Sequence, residues 1–338
     1  MVEIRKDYFT DSLCIVSDEG LEGGYTEVSR GEEVCPYCAG NEHLTQPAEL
    51  VLVQSQGSLV KRSDSEDERI KNWSIRVIPT KKPFVSLSAV SRFTDSPLYG
   101  EPAFGYHYEV VATPNHHDTL SSISVDQWSN LLRVIQDRMK WLYSKKGVTY
   151  VSVYAEQVKK HATFNMVTLP KIPPIVEQEA TAFHNTYRET GICPMCNVIS
   201  IETGGPRQIY LNEHFIIFAP WAPSTLYEFW IFPRKHQTSF LKAGQKELDN
   251  LSLIVRAVLG AFDKAFNSTP YTIVLHSSSE KKTSKQLHWH FEVHTNIPLG
   301  NSLHIGTGIY FNPIPPEKVA SKLSSAFKRE FAALVGVS

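Results

Sequence analysis

Apolar and polar positions along the chain fall into a block of elements that occurs twice. In the first block an apolar run ends in proline, Ile75-Arg-Val-Ile-Pro79, and a strand carrying Tyr108-Glu109 leads on to His116. Ser124 and Gln127 then form a capping-box pattern ahead of Trp128, Leu131, Leu132, Ile135 and Met139, whose spacing predicts a helix. A β-rich run, Thr149-Tyr-Val-Ser-Val-Tyr154, precedes an alternating strand that begins at His161.

The second block keeps the order. Its apolar run is Phe215-Ile-Ile-Phe-Ala-Pro220, Tyr227-Glu228 leads to His236, and Leu248, Leu251, Val255, Val258, Leu259 and Phe262 predict the helix. Tyr271-Thr-Ile-Val-Leu275 is the β-rich run, and the alternating strand begins at His288. A period of two places His288, His290, Glu292 and His294 on one face of that strand, with Trp289, Phe291 and Val293 on the other. Each block closes on Ile-Pro-Pro and a helix, at Ile172 and at Ile314. The chain therefore reads as a tandem repeat with its boundary near residues 185–192, giving units 1–188 and 189–338. Two polar stretches, 54–71 and 276–285, read as surface loops.

Composition narrows the function classes. At 338 residues the chain suits two domains, and 42% hydrophobic with 20% charged residues describes a globular protein. A net charge of −1 carries no basic footprint for a nucleic-acid polymer. The N-terminus MVEIRKDYFT lacks an apolar signal region, and no stretch approaches the roughly 18 to 20 apolar residues that cross a bilayer. A cytoplasmic protein without a membrane partner is the expectation.

The five cysteines comprise Cys14 and two tight pairs. Cys14 sits in an apolar run and is expected to be a buried small hydrophobe. Cys35-Pro-Tyr-Cys38 returns as Cys193-Pro-Met-Cys196, each with two histidines at corresponding places. Zinc takes four Cys and His ligands tetrahedrally. The sets are Cys35, Cys38, His116 and His161, then Cys193, Cys196, His236 and His288, with His117 competing with His116 and His290 with His288. Both sets are closed, so two structural zinc ions are expected. His43, His107, His184, His214, His276 and His304 read as surface or hydrogen-bonded residues.

These residues resemble the galactose-1-phosphate uridylyltransferase family, a branch of the histidine-triad superfamily. Ile4-Arg-Lys-Asp7 with Cys14-Ile-Val-Ser, the Cys35 knuckle, Arg76-Val-Ile-Pro-Thr-Lys81, Thr113-Pro-Asn-His116, His288-Trp-His-Phe-Glu292 and Gly306-Thr-Gly-Ile-Tyr-Phe-Asn-Pro313 carry the resemblance across nearly the whole chain. It implies an α+β fold of two histidine-triad-like domains, each an antiparallel sheet with flanking helices, joined as an intramolecular pseudo-dimer. It also implies nucleotidyl transfer between phosphate-bearing partners through a nucleotidylated histidine, and pairing of chains as a homodimer.

The family's nucleophile is the middle residue of a His-Pro-His-x-Gln motif in the first copy. This chain reads His161-Ala-Thr163-Phe-Asn165 there, and Thr80 replaces the Asn of a Phe-Pro-Asn-Lys element. The phosphate loop before the motif is shortened to Glu156-Gln-Val-Lys-Lys160. Metal positions are kept while substrate positions change. By resemblance, Arg76, Thr80, Thr163 and Asn165 line the substrate, and Lys285 could reach its phosphates from the preceding loop. In the second copy His290 holds the middle position beside Glu292, which makes the pair the candidate for relocated catalysis; its alternative role is metal ligation or strand hydrogen bonding. Two readings follow: a diverged nucleotidyltransferase acting on a nucleotide sugar or dinucleoside polyphosphate, or a zinc-stapled protein that binds a nucleotide or another protein without turnover.

Overall fold

The computed structural model describes residues 2–6, 13–17, 34–55, 58–91, 94–95, 97–157, 161–281, 287–297 and 301–336. In the first copy the strands are β1 (Val2–Lys6), β2 (Leu13–Ser17), β3 (Leu50–Ser55), β4 (Ser58–Arg62), β5 (Trp73–Pro79), β6 (Thr94–Asp95), β7 (Leu98–Pro102) and β8 (His107–Val111). Helix α1 (Val125–Tyr143), strands β9 (Tyr150–Gln157) and β10 (Thr163–Leu169) and helix α2 (Pro174–Thr190) complete it. The second copy runs α3 (Pro194–Glu202), β11 (Gln208–Leu211), β12 (Phe215–Phe218), β13 (Phe229–Pro233), α4 (Gln245–Ala265), β14 (Tyr271–His276), β15 (His290–Thr295), α5 (Asn301–Thr307) and α6 (Pro316–Val335).

Eleven strands form one sheet in the order β11-β12-β13-β15-β14-β9-β10-β8-β5-β3-β4, and each neighbouring pair runs antiparallel. The two copies meet where β9 pairs with β14, and strands of equivalent sequence follow outward on both sides. That arrangement is the expected pseudo-dimer. One face of the sheet buries Phe164, Phe215, Ile231, Trp289 and Phe291 against α1, α4 and α6. The opposite face carries α2 and α3 on Ile216, Phe218 and Phe232, and the small sheet β2-β1-β7-β6 on Val167.

The capping box at α1 is half made. Ser124 accepts from the Gln127 backbone N–H at 3.1 Å, but the Gln127 side chain donates to the carbonyls of Ser74 and Ala112, anchoring the helix to the sheet. Gln136 of α1 donates across the copy junction to the carbonyls of Phe240 and Ala243 at 3.1 and 2.9 Å.

Several expectations are corrected. Cys14 is exposed, on an outer strand of the small sheet. The polar stretch 54–71 holds β4, whose five residues are all exposed. Ser277, Ser278 and Ser279, read as part of a surface loop, are buried, with Ser277 accepting from Phe240 N–H and Ser278 bonded to the Leu287 backbone. Tyr227 and Glu228 precede β13, with Tyr227 at φ 60°, and the residue paired with Glu292 is Trp230. Tyr108-Glu109 and Tyr227-Glu228 are therefore not structural counterparts. Among the described residues no helix is long and apolar enough to cross a membrane.

Candidate functional site

Both cysteine knuckles meet their histidines. In the first copy the Cys35 and Cys38 sulfurs lie 3.7 and 4.0 Å from His161 Nδ1, and Cys38 lies 3.3 Å from His116 Nδ1. In the second, Cys196 lies 3.7 Å from His236 Nδ1 and 3.8 Å from His288 Nδ1. A tetrahedral zinc with bonds of about 2.3 Å to sulfur and 2.0–2.1 Å to nitrogen separates these atoms by about 3.6 Å. All four donor atoms in each set lie within 4.8 Å of one another.

The chemistry of the donors fits a cation as well. Burial and the neighbouring thiol push Cys38 and Cys196 up to about 11, so the thiolates need a positive partner. Burial lowers both inner histidines, His288 to about 4, which leaves the neutral imidazole that ligates. His161 Nε2–H donates to the Thr113 carbonyl, which turns Nδ1 toward the sulfurs. The corresponding nitrogen of His288 lies near the Pro233 and Lys235 carbonyls but completes no well-formed bond to either. His116 rather than His117, and His288 rather than His290, lies in the four-residue cluster with its cysteine pair.

Beyond the knuckles, one row of side chains crosses the sheet on the face of α2: Ile78, Glu109, Asn165, Tyr154, Val274, Glu292 and Trp230, each paired with the next across a strand boundary. In the second copy this face is a closed ion network. His290 is 1% exposed; its Nδ1–H donates to the His288 carbonyl at 2.9 Å. Its Nε2 meets Glu292 at 3.1 Å and Glu179 of α2 at 3.7 Å. Burial alone would depress its pKa, but the two carboxylates outweigh burial and raise it. Glu292 also binds His294 at 2.7 Å, and Glu228 closes the other side of His294 at 3.3 Å; these carboxylates overcome burial and raise His294 to about 10. Glu179, His276 and His290 additionally form a third group with metal-ligand spacing.

In the first copy the same face is open. Asn165 Oδ1 accepts from His107 Nε2 at 3.1 Å, and Phe84 N–H donates to His107 Nδ1 at 3.3 Å. Burial lowers the His107 pKa, so the ring is neutral and turns the Asn165 NH₂ away from itself. A cavity of about 240 Å³ opens beside Glu109, walled by Tyr37, Leu44, Ile78, Thr80 and Lys81. Glu109 accepts from the Tyr37 hydroxyl at 2.8 Å and from Thr80, and burial raises its pKa.

Thr80 and Asn165 thus border the open face, and Thr163 begins β10, with its hydroxyl donating to the His161 carbonyl at 3.0 Å. Arg76 is 1% exposed, with its guanidinium on Asp64 at 2.5 Å and Thr45 at 3.2 Å, an arrangement that serves the loop. Lys285 lies outside the described residues. Sequence reasoning missed the roles of Tyr37 and Glu109; a carboxylate within the apolar strand His107-Tyr-Glu-Val-Val111 was the available signal. Glu179 gave none.

No family model matches the chain. An ADP-glucose phosphorylase of Arabidopsis thaliana is 27% identical, covering 94% of this chain and 91% of that protein. A galactose-1-phosphate uridylyltransferase of Thermotoga maritima is 24% identical, covering 96% and 98%. The solved structure of an Arabidopsis thaliana ADP-glucose phosphorylase with bound ADP-glucose superposes with a TM-score of 0.72 at 26% identity, covering 96% of this chain and 99% of that one. Over nearly its whole length this chain is a homologue of proteins of the galactose-1-phosphate uridylyltransferase family, in a tandem histidine-triad-like fold.

Proposed function

We propose that this chain binds a nucleotide sugar on the open face of its first copy and transfers the nucleotidyl group without a histidine intermediate. The observation that carries the reading is the contrast across one sheet: a cavity lined by Glu109 in the first copy, and an ion network around the buried His290 in the second. The reading therefore moves catalysis away from His290 and Glu292, because a nucleophile must reach phosphorus and His290 is buried between carboxylates. The plant relative with ADP-glucose bound supports the ligand class, and a dinucleoside polyphosphate offers the same diphosphate.

In a direct displacement, an oxygen of a phosphate-bearing acceptor forms the new bond to the α-phosphorus while the bond to the departing sugar phosphate breaks. Asn165, its carbonyl held by His107, has amide N–H groups to offer the charge that gathers on the phosphoryl oxygens. Cys35, Cys38, His116 and His161, and likewise Cys193, Cys196, His236 and His288, would each hold a structural zinc ion, and the first set would thereby fix Tyr37 between its two cysteines. The same reading places the units at 1–188 and 189–338, in the cytoplasm, with a homodimer taken from the family resemblance.

The test is initial-rate kinetics with a nucleotide sugar and inorganic phosphate or a hexose phosphate as acceptor. Intersecting double-reciprocal lines, with no label retained on protein after incubation with a radiolabelled nucleotide sugar, are expected. Parallel lines with a labelled protein would sink the direct route. Saturable binding without turnover would instead favour the second reading, a nucleotide-binding protein, for which Thr163 in the nucleophile position speaks.

A further inference from the structure

The floor of the proposed nucleotide cleft is a carboxylate, and a carboxylate discriminates among nucleobases. Glu109 lies on β8 between Ile78 of β5 and Asn165 of β10. One of its oxygens accepts from the Tyr37 hydroxyl, and Thr80 supplies a further hydrogen bond. An ionised carboxylate offers about four lone-pair sites, so capacity remains for a ligand. The cavity of about 240 Å³ has apolar walls at Leu44 and Ile78, while Lys81 and Lys82 stand exposed at its edge. A flat base between apolar walls with its phosphates toward the lysines matches that polarity.

We infer that the cleft selects guanosine diphosphate sugars, with guanine N1–H and N2–H donating side by side to Glu109. The inference rests on the nucleotide-sugar reading above. Guanine is the common base that presents two adjacent N–H donors, the complement of a carboxylate's paired oxygens. Uracil sets its single ring N–H between two carbonyl oxygens, whose lone pairs would face Glu109. Adenine sets its amino group beside ring nitrogens that also carry lone pairs. A site built to accept two hydrogens penalises each ligand that arrives with an acceptor instead. Burial raises the Glu109 pKa, and the hydrogen bonds from Tyr37 and Thr80 oppose that shift without reversing it.

The full chain is titrated calorimetrically near neutral pH with GDP, IDP, ADP and UDP. IDP keeps N1–H and lacks the amino group, so GDP should bind roughly tenfold more tightly than IDP, and more tightly still than UDP or ADP. Glu109→Gln should shrink the GDP-to-UDP ratio roughly tenfold, because the amide offers one acceptor and one donor. UDP or ADP binding as tightly as GDP overturns the base assignment and leaves the nucleotide-sugar reading standing. A GDP preference that survives Glu109→Gln overturns Glu109 as its source. Binding of none of the four sinks both. Should the variant fail to fold, the wild-type series of four ligands still decides the base.

Discussion

His161-Ala-Thr163-Phe-Asn165 and His288-Trp-His290-Phe-Glu292 are the same stretch in two copies, and they have gone opposite ways. The leading histidine joins a cysteine pair in both. Beyond it, the first copy carries Thr163 and Asn165, and Asn165 pairs across the strand boundary with Glu109, which lines a cavity. The second carries His290 and Glu292 in a lattice of alternating imidazoles and carboxylates, and Trp230 stands where the first copy has Glu109. Trp230 packs among Phe218, Phe232 and His290, so aromatic volume fills the equivalent of the cleft. A polar sheet face either satisfies itself internally and becomes rigid, or leaves its groups for a ligand. One fold here does both, and the histidine that looks catalytic in the sequence is on the self-satisfied side.

The largest effects should come from the knuckles, where the two copies share a donor set and differ in what stands beside it. Cys35→Ala and Cys193→Ala should each lower zinc from two ions per chain to one by elemental analysis and destabilise their own half by several kcal/mol, since metal binding is coupled to folding. Only Cys35→Ala should also abolish nucleotide binding, because Tyr37 stands inside the first knuckle and hydrogen-bonds Glu109. Equal loss of binding in both variants would break the contrast.

Next come the paired positions themselves. Glu292→Gln leaves His290 and His294 without their shared buried carboxylate and should cost about 3–5 kcal/mol in denaturant unfolding. Asn165→Ala removes one neutral hydrogen bond from His107 and should cost about 1 kcal/mol while weakening nucleotide binding. Similar stability losses at the two positions would mean that the first copy is as self-satisfied as the second.

The second copy's network should also show in the pH dependence of stability. His294 is raised in the fold to about 10, above the roughly 6.5 of an unfolded histidine. The folded state therefore holds a proton that the unfolded chain releases between those values. The stabilisation is full below about 6.5 and falls as pH rises toward 10, by at most about 1.4 kcal/mol per pH unit. His294→Phe should flatten that alkaline slope in thermal melts recorded across the window. An unchanged slope would remove His294 as its source.

How much of this was legible depended on whether a feature leaves a periodic trace. The repeat, the central strands of each copy and the clustering of both Cys/His sets did, because cysteines at fixed spacing and alternating strands are local signals. Strand β4 did not: all five of its residues are exposed, so no apolar alternation distinguishes it from a loop. Glu179 was invisible because α2 brings it to His276 across 97 positions of chain, and to His290 across still more. The burial of His290 left no local trace for the same reason. Its sequence neighbours suggest a nucleophile, whereas its burial is set by Glu179 and by Phe232, stacked 4.2 Å away on another strand.

The smallest expected effect falls on Thr163. Its hydroxyl donates to the His161 carbonyl, and direct displacement asks nothing chemical of it. Thr163→Ala should then leave turnover within about threefold, whereas removal of a covalent nucleophile costs on the order of 10⁶-fold. Thr163→His sharpens the point, since it restores the residue that the resemblance leads one to expect. If the cleft still places a phosphate beside this position, the variant should retain label from a radiolabelled nucleotide sugar and its rate lines should turn from intersecting toward parallel. Absence of label in a folded, nucleotide-binding Thr163→His protein would mean that the first copy has lost the geometry of in-line attack along with the histidine, and the direct-displacement reading would give way to binding without turnover.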